Sequence, residues 1–418
     1  MFSWVGNVSY PPFADIDAVR FPTTFGRGSK SLLCAPSIGP AISGVIVRLS
    51  TVCAVALRAA SLGESSHPGH MDVSVDLRTI TFEAAIEQTK ARPRFLLLGN
   101  GFSIAARRGS FSFPSLLSRA GPFSEPVVAL FAKLNTADFE QVLGALKRKL
   151  ADPNATPSDR AEWKRQEQEV RAGFIGALQR VHPESAAMMG QDECQRCVTF
   201  LKHFVGGGRG LKLDGRVYTT NYDLLLYWVV VRGGRGFNCF DRHYTVSDDP
   251  RYALWDSELA PGLVYLHGAL HTYDRPDGGQ MMLRYDGRLS LIDQARRRLD
   301  QGEFPVFVAE GTTEDKVSRI ARSRYLTWAR RYLGSGMNHR DGALFTYGHS
   351  LNDRDAHLLR VIGEKKIREV YVGAFGGLGA DNIADIRMWV ARWKEARAAS
   401  GFPLDVWVFD TKLYSPWS

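Results

Sequence analysis

The sequence predicts an α/β protein: a doubly wound, mostly parallel Rossmann-like sheet carrying a helical insertion. Three observations predict it. Short apolar runs bounded by turn residues alternate with stretches whose apolar residues recur at helical spacing. The first of these runs, Phe95 to Leu98, opens directly into Gly99-Asn100-Gly101. Polar residues then collect at the ends of several later runs, just before helical patterns resume. Strands alternating with helices build parallel sheets covered on both faces, and such sheets bind ligands at the carboxyl ends of their strands.

In chain order, residues 1–70 stand apart. They carry only three acidic residues (Asp15, Asp17, Glu64) and no sustained period of 3.6 or 2. They are read as an over-extended gene start or a disordered arm, with translation beginning at Met71; mass spectrometry of the native N-terminus checks this. Residues 71–418 then form the α/β domain. Its first stretch, "MDVSVDLRTITFEAAIEQTK", settles into a helical pattern, and a strand follows at Arg94–Leu98. A long helical lobe at about 112–205 contains "DFEQVLGALKRKL" and "SDRAEWKRQEQEVRAGFIGALQRV". Further strands are expected at 216–220, 262–268, 304–311, 342–350, 367–377 and 404–410. Helical patterns in "TEDKVSRIARSRYLTWARRYL" and "ADIRMWVARWKEARAA" separate several of them.

Composition narrows the function classes. The chain has 418 residues, 44% of them hydrophobic and 23% charged, which is ordinary for a globular protein with a sizeable core. The net charge of +9 comes from 53 Lys and Arg spread along the chain, with no nucleic-acid recognition motif beside them. Nucleic acid is therefore the minor reading against a solvated basic surface. Five cysteines do not make a secreted disulfide framework. Cys194 and Cys197 form the one close pair; Cys239 and His243 are the residues that would complete a zinc site, and two helix-face thiols are preferred. No run reaches the roughly 20 apolar residues that span a bilayer. A cytoplasmic protein without a membrane partner or a metal is expected.

The strand ends supply the candidate site. Gly99 permits a tight turn, Gly101 lets the backbone approach a pyrophosphate, and nearby amides with the Ser103 hydroxyl can donate to phosphate oxygens. The third glycine of a dinucleotide fingerprint is replaced by Ile104, and no acidic residue follows at the expected distance, which disfavours a hydride-transfer dehydrogenase. The next strand delivers Thr220, Asn221 and Asp223; one of them suffices to cap a helix, and three are present. His267 stands at a strand end before a glycine, the position of a candidate general base. A metal reading of His267 with His271 lacks the glutamate and helical context such pairs need. Gly348 and Ser350 end a later strand, with Asn352, Asp353 and Asp355 opening the next helix.

The ordered set Gly-Asn-Gly-Phe-Ser, Thr-Thr-Asn-Tyr-Asp, His-Gly and Gly-His-Ser-Leu resembles the sirtuin-like NAD-consuming superfamily. "LLLGNGFSIA", "YLHGAL", "VAEGTTEDKVSRI" and "GHSLNDRDAHLL" resemble, more closely, the bacterial group called domain of unknown function 4917, over roughly residues 80–415. The resemblance implies that Gly99, Asn100, Gly101 and Ser103 hold the phosphates of NAD and that Thr220 lies beside them. It implies that Asn221 sits at the nicotinamide ribose and helps place a water, that Asp223 meets the carboxamide, that His267 is the general base, and that Gly348 and Ser350 contact the adenosine half. Sirtuin deacylases carry a zinc ribbon of two CxxC pairs, and this chain has one pair, so hydrolysis with water as acceptor is expected rather than deacylation. A role in anti-phage defence by NAD depletion is likewise what the resemblance implies. NAD or ADP-ribose sensing without turnover, and ADP-ribosyl transfer, remain the alternatives. An off-state maintained by a homo-oligomer or by the helical lobe is a further expectation; the trigger is not legible.

Overall fold

The computed structural model describes residues 76–418, apart from 108, 184, 206–214, 234–243, 247–251, 256–261, 276, 278, 285–289, 309–312 and 399. The expectations for residues 1–70 and for Cys239 and His243 lie outside the described residues.

Seven strands form one fully parallel sheet. They are β1 (Arg78–Thr79), β2 (Arg94–Leu98), β3 (Arg216–Thr219), β6 (Leu263–Tyr265), β9 (Ala343–Tyr347), β10 (Glu369–Ala374) and β11 (Asp405–Asp410). Their order is β1-β11-β10-β9-β2-β3-β6. Every residue of β2, β9 and β10 is buried, which explains why these strands read as unbroken apolar runs rather than as alternating ones. From β2 the chain moves outward to β3 and β6, then returns to β9 on the other side of β2 and proceeds to β10 and β11. The strand order therefore reverses between β2 and β9, the point where open α/β sheets bind ligands.

A second sheet was not legible in the sequence. β4 (Tyr244–Val246), β5 (Tyr252–Trp255), β7 (Thr272–Asp274) and β8 (Gln280–Leu283) pair antiparallel in the order β4-β5-β8-β7. The run 304–311, expected as a strand of the main sheet, is corrected: Phe307 makes a single antiparallel bridge to Gly268. The Val308 amide donates to the His267 carbonyl and the Val306 amide to that of Thr272. This apolar run braces the His267 loop instead of extending the sheet.

Helices cover the sheet where the 3.6-residue pattern places them. In the lobe they are α3 (Phe113–Arg119), α4 (Glu125–Lys133), α5 (Phe139–Leu150), α6 (Pro157–Val181) and α7 (Gln191–Lys202). α6 begins at a capping box in which Thr156 and Asp159 bond each other's amides, with Pro157 at the first helical position. Outside the lobe lie α1 (Phe82–Gln88), α2 (Asn100–Ala106), α8 (Leu225–Arg232), α9 (Leu291–Asp300), α10 (Thr313–Arg322), α11 (Arg324–Met337), α12 (Ala356–Glu364) and α13 (Ile383–Ala398). The single helical pattern expected from Thr313 onward is divided by Ser323, whose hydroxyl caps the start of α11. No helix among the described residues is long and apolar enough to cross a membrane.

Candidate functional site

At the reversal point, two turns interlock. The Gly99 amide donates to the Tyr347 carbonyl and the Gly101 amide to the Gly348 carbonyl, at 3.0 and 2.8 Å. A Cβ at Gly101 would stand 2.6 Å from the Gly348 Cα, and one at Gly99 2.5 Å from the His349 Cα. Gly348 itself has φ +65° and packs on the Phe102 amide. These glycines let the ends of β2 and β9 touch backbone to backbone, which no side chain permits. The sequence reading gave Gly101 to an incoming pyrophosphate. In this structure its amide is donated to the Gly348 carbonyl, and that of Phe102 to the Gly99 carbonyl. Asn100 is exposed, and its side chain donates to the Phe111 carbonyl.

Below this turn lies a buried polar trio. The Ser103 hydroxyl donates to Asp223 Oδ2, and Asn221 Nδ2 donates to Ser103 Oγ at 2.9 Å. Ser103 has one hydrogen, already given to Asp223, so it accepts from Asn221; this fixes the orientation of the Asn221 amide. Asn221 Oδ1 is consequently left buried with no hydrogen-bond partner. Asp223 Oδ1 accepts from the Leu225 amide, so the capping role weighed for this segment belongs to Asp223. Thr220 folds back on strand β2, its amide donating to the Leu98 carbonyl. A third-party cap comes from the helical lobe: the Leu224 amide donates to His182 Nε2 at 2.7 Å, which obliges His182 Nδ1 to donate to the Leu178 carbonyl.

His267, at the end of β6, is 1% exposed and belongs to a second cluster. Its Nε2 lies 3.1 Å from His357 Nε2, and the two rings are nearly parallel. Asp355 Oδ1 stands 3.9 Å from the same nitrogen. Lys316, from α10, seats its ammonium between Asp355 Oδ1 at 2.9 Å and Glu140 Oε2 at 3.1 Å. His349 completes the group, with Nε2 3.4 Å from Asp355 Oδ2. The Leu351 amide donates to His349 Nδ1, so in the neutral ring the proton sits on Nε2, facing Asp355. Leu351 holds φ +52° with its side chain fully buried. A non-glycine residue there carries strain of about 1 kcal/mol or more, which surrounding structure must enforce.

Protonation follows from these contacts. Tyr222 has one hydroxyl hydrogen but lies within bonding distance of the Val308 carbonyl (2.6 Å) and Glu140 Oε1 (2.8 Å). The Tyr222 hydroxyl donates toward both, the Val308 carbonyl and Glu140 Oε1 accepting. Burial raises the Glu140 carboxyl, with Asp138 and Asp355 adding to the rise against Lys316 and the Tyr222 bond. Burial also works against ionisation of Asp355, but the Lys316 ammonium beside it holds it well below the usual carboxylate range. Burial opposes the Lys316 charge too, and Glu140 and Asp355 outweigh it and raise that group. Lys316 is thus held as a cation between the two carboxyl groups, and Asp355 as a carboxylate. Burial lowers His267, His349 and His357, the last to about 4, so all three are neutral at pH 7.

The nitrogens and carboxylate of His267, His357 and Asp355 lie within 4.8 Å of one another, a spacing a divalent ion can use. The Lys316 ammonium already occupies Asp355 Oδ1, however, and a second cation would sit against it. The resident cation is Lys316, and no metal role is assigned. Cys194 and Cys197 are buried on α7, and burial raises both thiols. Ser350 is exposed beside the reversal point, and its carbonyl accepts from Asn382 at 2.9 Å.

A family model matches residues 96–417, a span that contains every residue of both clusters. The chain belongs to the family described as Domain of unknown function (DUF4917). No curated protein matches it. In this DUF4917 chain the sequence reading found Ser103, Asn221, Asp223 and His267, and the fold brings the first three into one trio. It placed Asp355 at the opening of a helix without giving it a role, and it missed His349, His357, Lys316, Glu140 and His182. Asp355 and His357 lie in "NDRDAHLL", at the same strand end as Ser350, and that placement was the available signal. Glu140 and Lys316 sit on helices, and His182 directly after one, that only the fold brings to the sheet.

Proposed function

We propose that this chain cleaves the N-glycosidic bond of NAD, releasing nicotinamide and ADP-ribose with water as acceptor, as in the sirtuin-like hydrolases it resembles. One observation carries the reading: Asn221 Oδ1 is a buried acceptor with no partner, fixed in direction by Ser103 and Asp223, at the carboxyl end of β3 beside the reversal point of a parallel sheet. A buried polar atom left unpaired costs about 1–3 kcal/mol, which a ribose hydroxyl or an attacking water repays by donating to it. The nicotinamide ribose lies against Asn221, with the carboxamide toward Asp223. His267 takes the proton of the attacking water. Nicotinamide leaves a cationic ring as a neutral molecule, so positioning and an oxocarbenium-tolerant pocket matter more than acid catalysis.

The side-chain-free edge made by Gly99, Gly101 and Gly348 gives the pyrophosphate a path toward Ser350 once the loops part. The Phe375 ring, 68% exposed after β10, offers an apolar face to the adenine. A second reading, NAD or ADP-ribose binding without turnover, is favoured by the closed turn, whose amides are already donated to protein. Incubation of NAD with the purified chain separates the two: nicotinamide with equimolar ADP-ribose supports cleavage, and saturable binding with intact NAD supports sensing.

A further inference from the structure

NAD hydrolysis liberates one proton per turnover, and here the base that receives it is sealed: His267 is 1% exposed and His357 likewise 1%. The proton therefore needs a receiver within the protein. His267 Nε2 faces one ring nitrogen, His357 Nε2, at 3.1 Å. Two neutral imidazoles can make that bond only if one carries the hydrogen and the other presents a lone pair. Among the described residues no group bonds His267 Nδ1, so Nδ1 is the nitrogen left for a water or a ribose hydroxyl. Asp355, held ionised between Lys316 and His349, lies beside the pair.

We propose that His357 is the positioning residue through which His267 works, accepting a proton from His267 Nε2 each time His267 gains one at Nδ1. The step balances as follows. The water O–H bond breaks as its oxygen attacks the ribose carbon, and an N–H bond forms at His267 Nδ1. The His267 Nε2–H bond breaks, and an N–H bond forms at His357 Nε2. His267 ends neutral and His357 ends as an imidazolium whose charge sits against the Asp355 carboxylate. His357 Nδ1, buried without a partner, carries the second hydrogen of that cation. The charged and titratable groups around the pair are Asp355, Lys316, His349 and Tyr222, with Arg330 bonding the His357 carbonyl. Tyr222 covers the open face of the His267 ring, which stacks on it with an interplanar angle of 22°. The arrangement gives a buried base a neighbour that recharges it and a fixed anion that stabilises the transferred proton.

This inference rests on the NAD-cleaving reading, so its test has an arm that does not need turnover. In the full-length chain labelled with nitrogen-15 histidine, NMR reads which ring nitrogen of His267 bears hydrogen. Signals are assigned by their loss in His267→Gln and His357→Gln. The expected result is hydrogen on Nε2 and a bare Nδ1; hydrogen on Nδ1 overturns the relay whether or not NAD is cleaved. In the kinetic arm, glutamine at 357 keeps the reach of Nε2 but cannot become a cation. His357→Gln should lower kcat at least tenfold with KM within twofold. Its proton inventory in mixed light and heavy water should change from curved, two protons in flight, to linear. Wild-type kcat and a curved inventory in His357→Gln would show that His357 only fills space.

Discussion

The carboxyl edge of the main sheet has two halves built on opposite principles. Under β2, β3 and β6, with the end of β9, polar side chains are buried and bonded to one another: Ser103, Asn221, Asp223, His267, His349 and His357. Beyond β10 and β11 the loops carry glycines and exposed apolar groups instead, with Phe375 at 68% exposure and Leu413 at 84%. There Gly376, at φ +95°, donates its amide to Asp410 Oδ1. A buried polar network is held in one geometry because any misplacement leaves a group unpaired, whereas an exposed apolar loop can adapt to what lands on it. Under the proposed NAD-cleaving reading, the first half does the chemistry and the second holds the ligand.

Substitutions should therefore divide by half. The largest effect belongs to the buried half: His267→Ala should lower nicotinamide release about 10²–10⁴-fold, the usual worth of a general base, with folding retained by circular dichroism. Equal losses in kcat from substitutions at Phe375 or Leu413 would break the comparison. Next comes the interlocked turn. Gly348→Ala places a Cβ against the Phe102 amide and strains a positive φ. It should lower stability by about 3 kcal/mol or more, seen as a lower urea midpoint.

Acid should attack the buried half through its neutral histidines. His357 and His271 have folded values of about 4 and about 3, against 6.5 when unfolded. The unfolded chain binds more protons between those values, so stability falls as pH drops below 6.5. Each of the two should remove about 2 kcal/mol by pH 5. Urea titrations at pH 7 and pH 5 check this, and unchanged midpoints would contradict it. In the helical lobe, Glu140→Ala should cost about 2 kcal/mol by leaving Tyr222 and Lys316 short of a partner. The smallest effect lies in the other half: Phe375→Ala should raise KM a fewfold and leave kcat and stability within twofold and about 0.5 kcal/mol.

The same division explains what the sequence disclosed. Parallel strands buried on both faces announce themselves as apolar runs, so β2, β3, β9, β10 and β11 were legible to within a few residues. β4, β5, β7 and β8 are short and pair only with one another, and no period marked them. Residues at strand ends, such as Asn221 and His267, are found by asking what each strand delivers at its carboxyl end. Lys316 and Glu140 are indistinguishable in sequence from solvated helix charges. Their burial goes with the Lys316 ammonium lying between Glu140 and Asp355, a tertiary fact. The glycine pair was read as space for a ligand, and the fold shows it first as space for Gly348.

The most direct test of NAD cleavage at this site is chromatography of NAD incubated with the purified full-length chain and with Asn221→Ala. Nicotinamide and ADP-ribose should appear in equal amounts from the first and fall at least a hundredfold in the second. Intact NAD after prolonged incubation with the wild-type chain, or equal release by the variant, would contradict it.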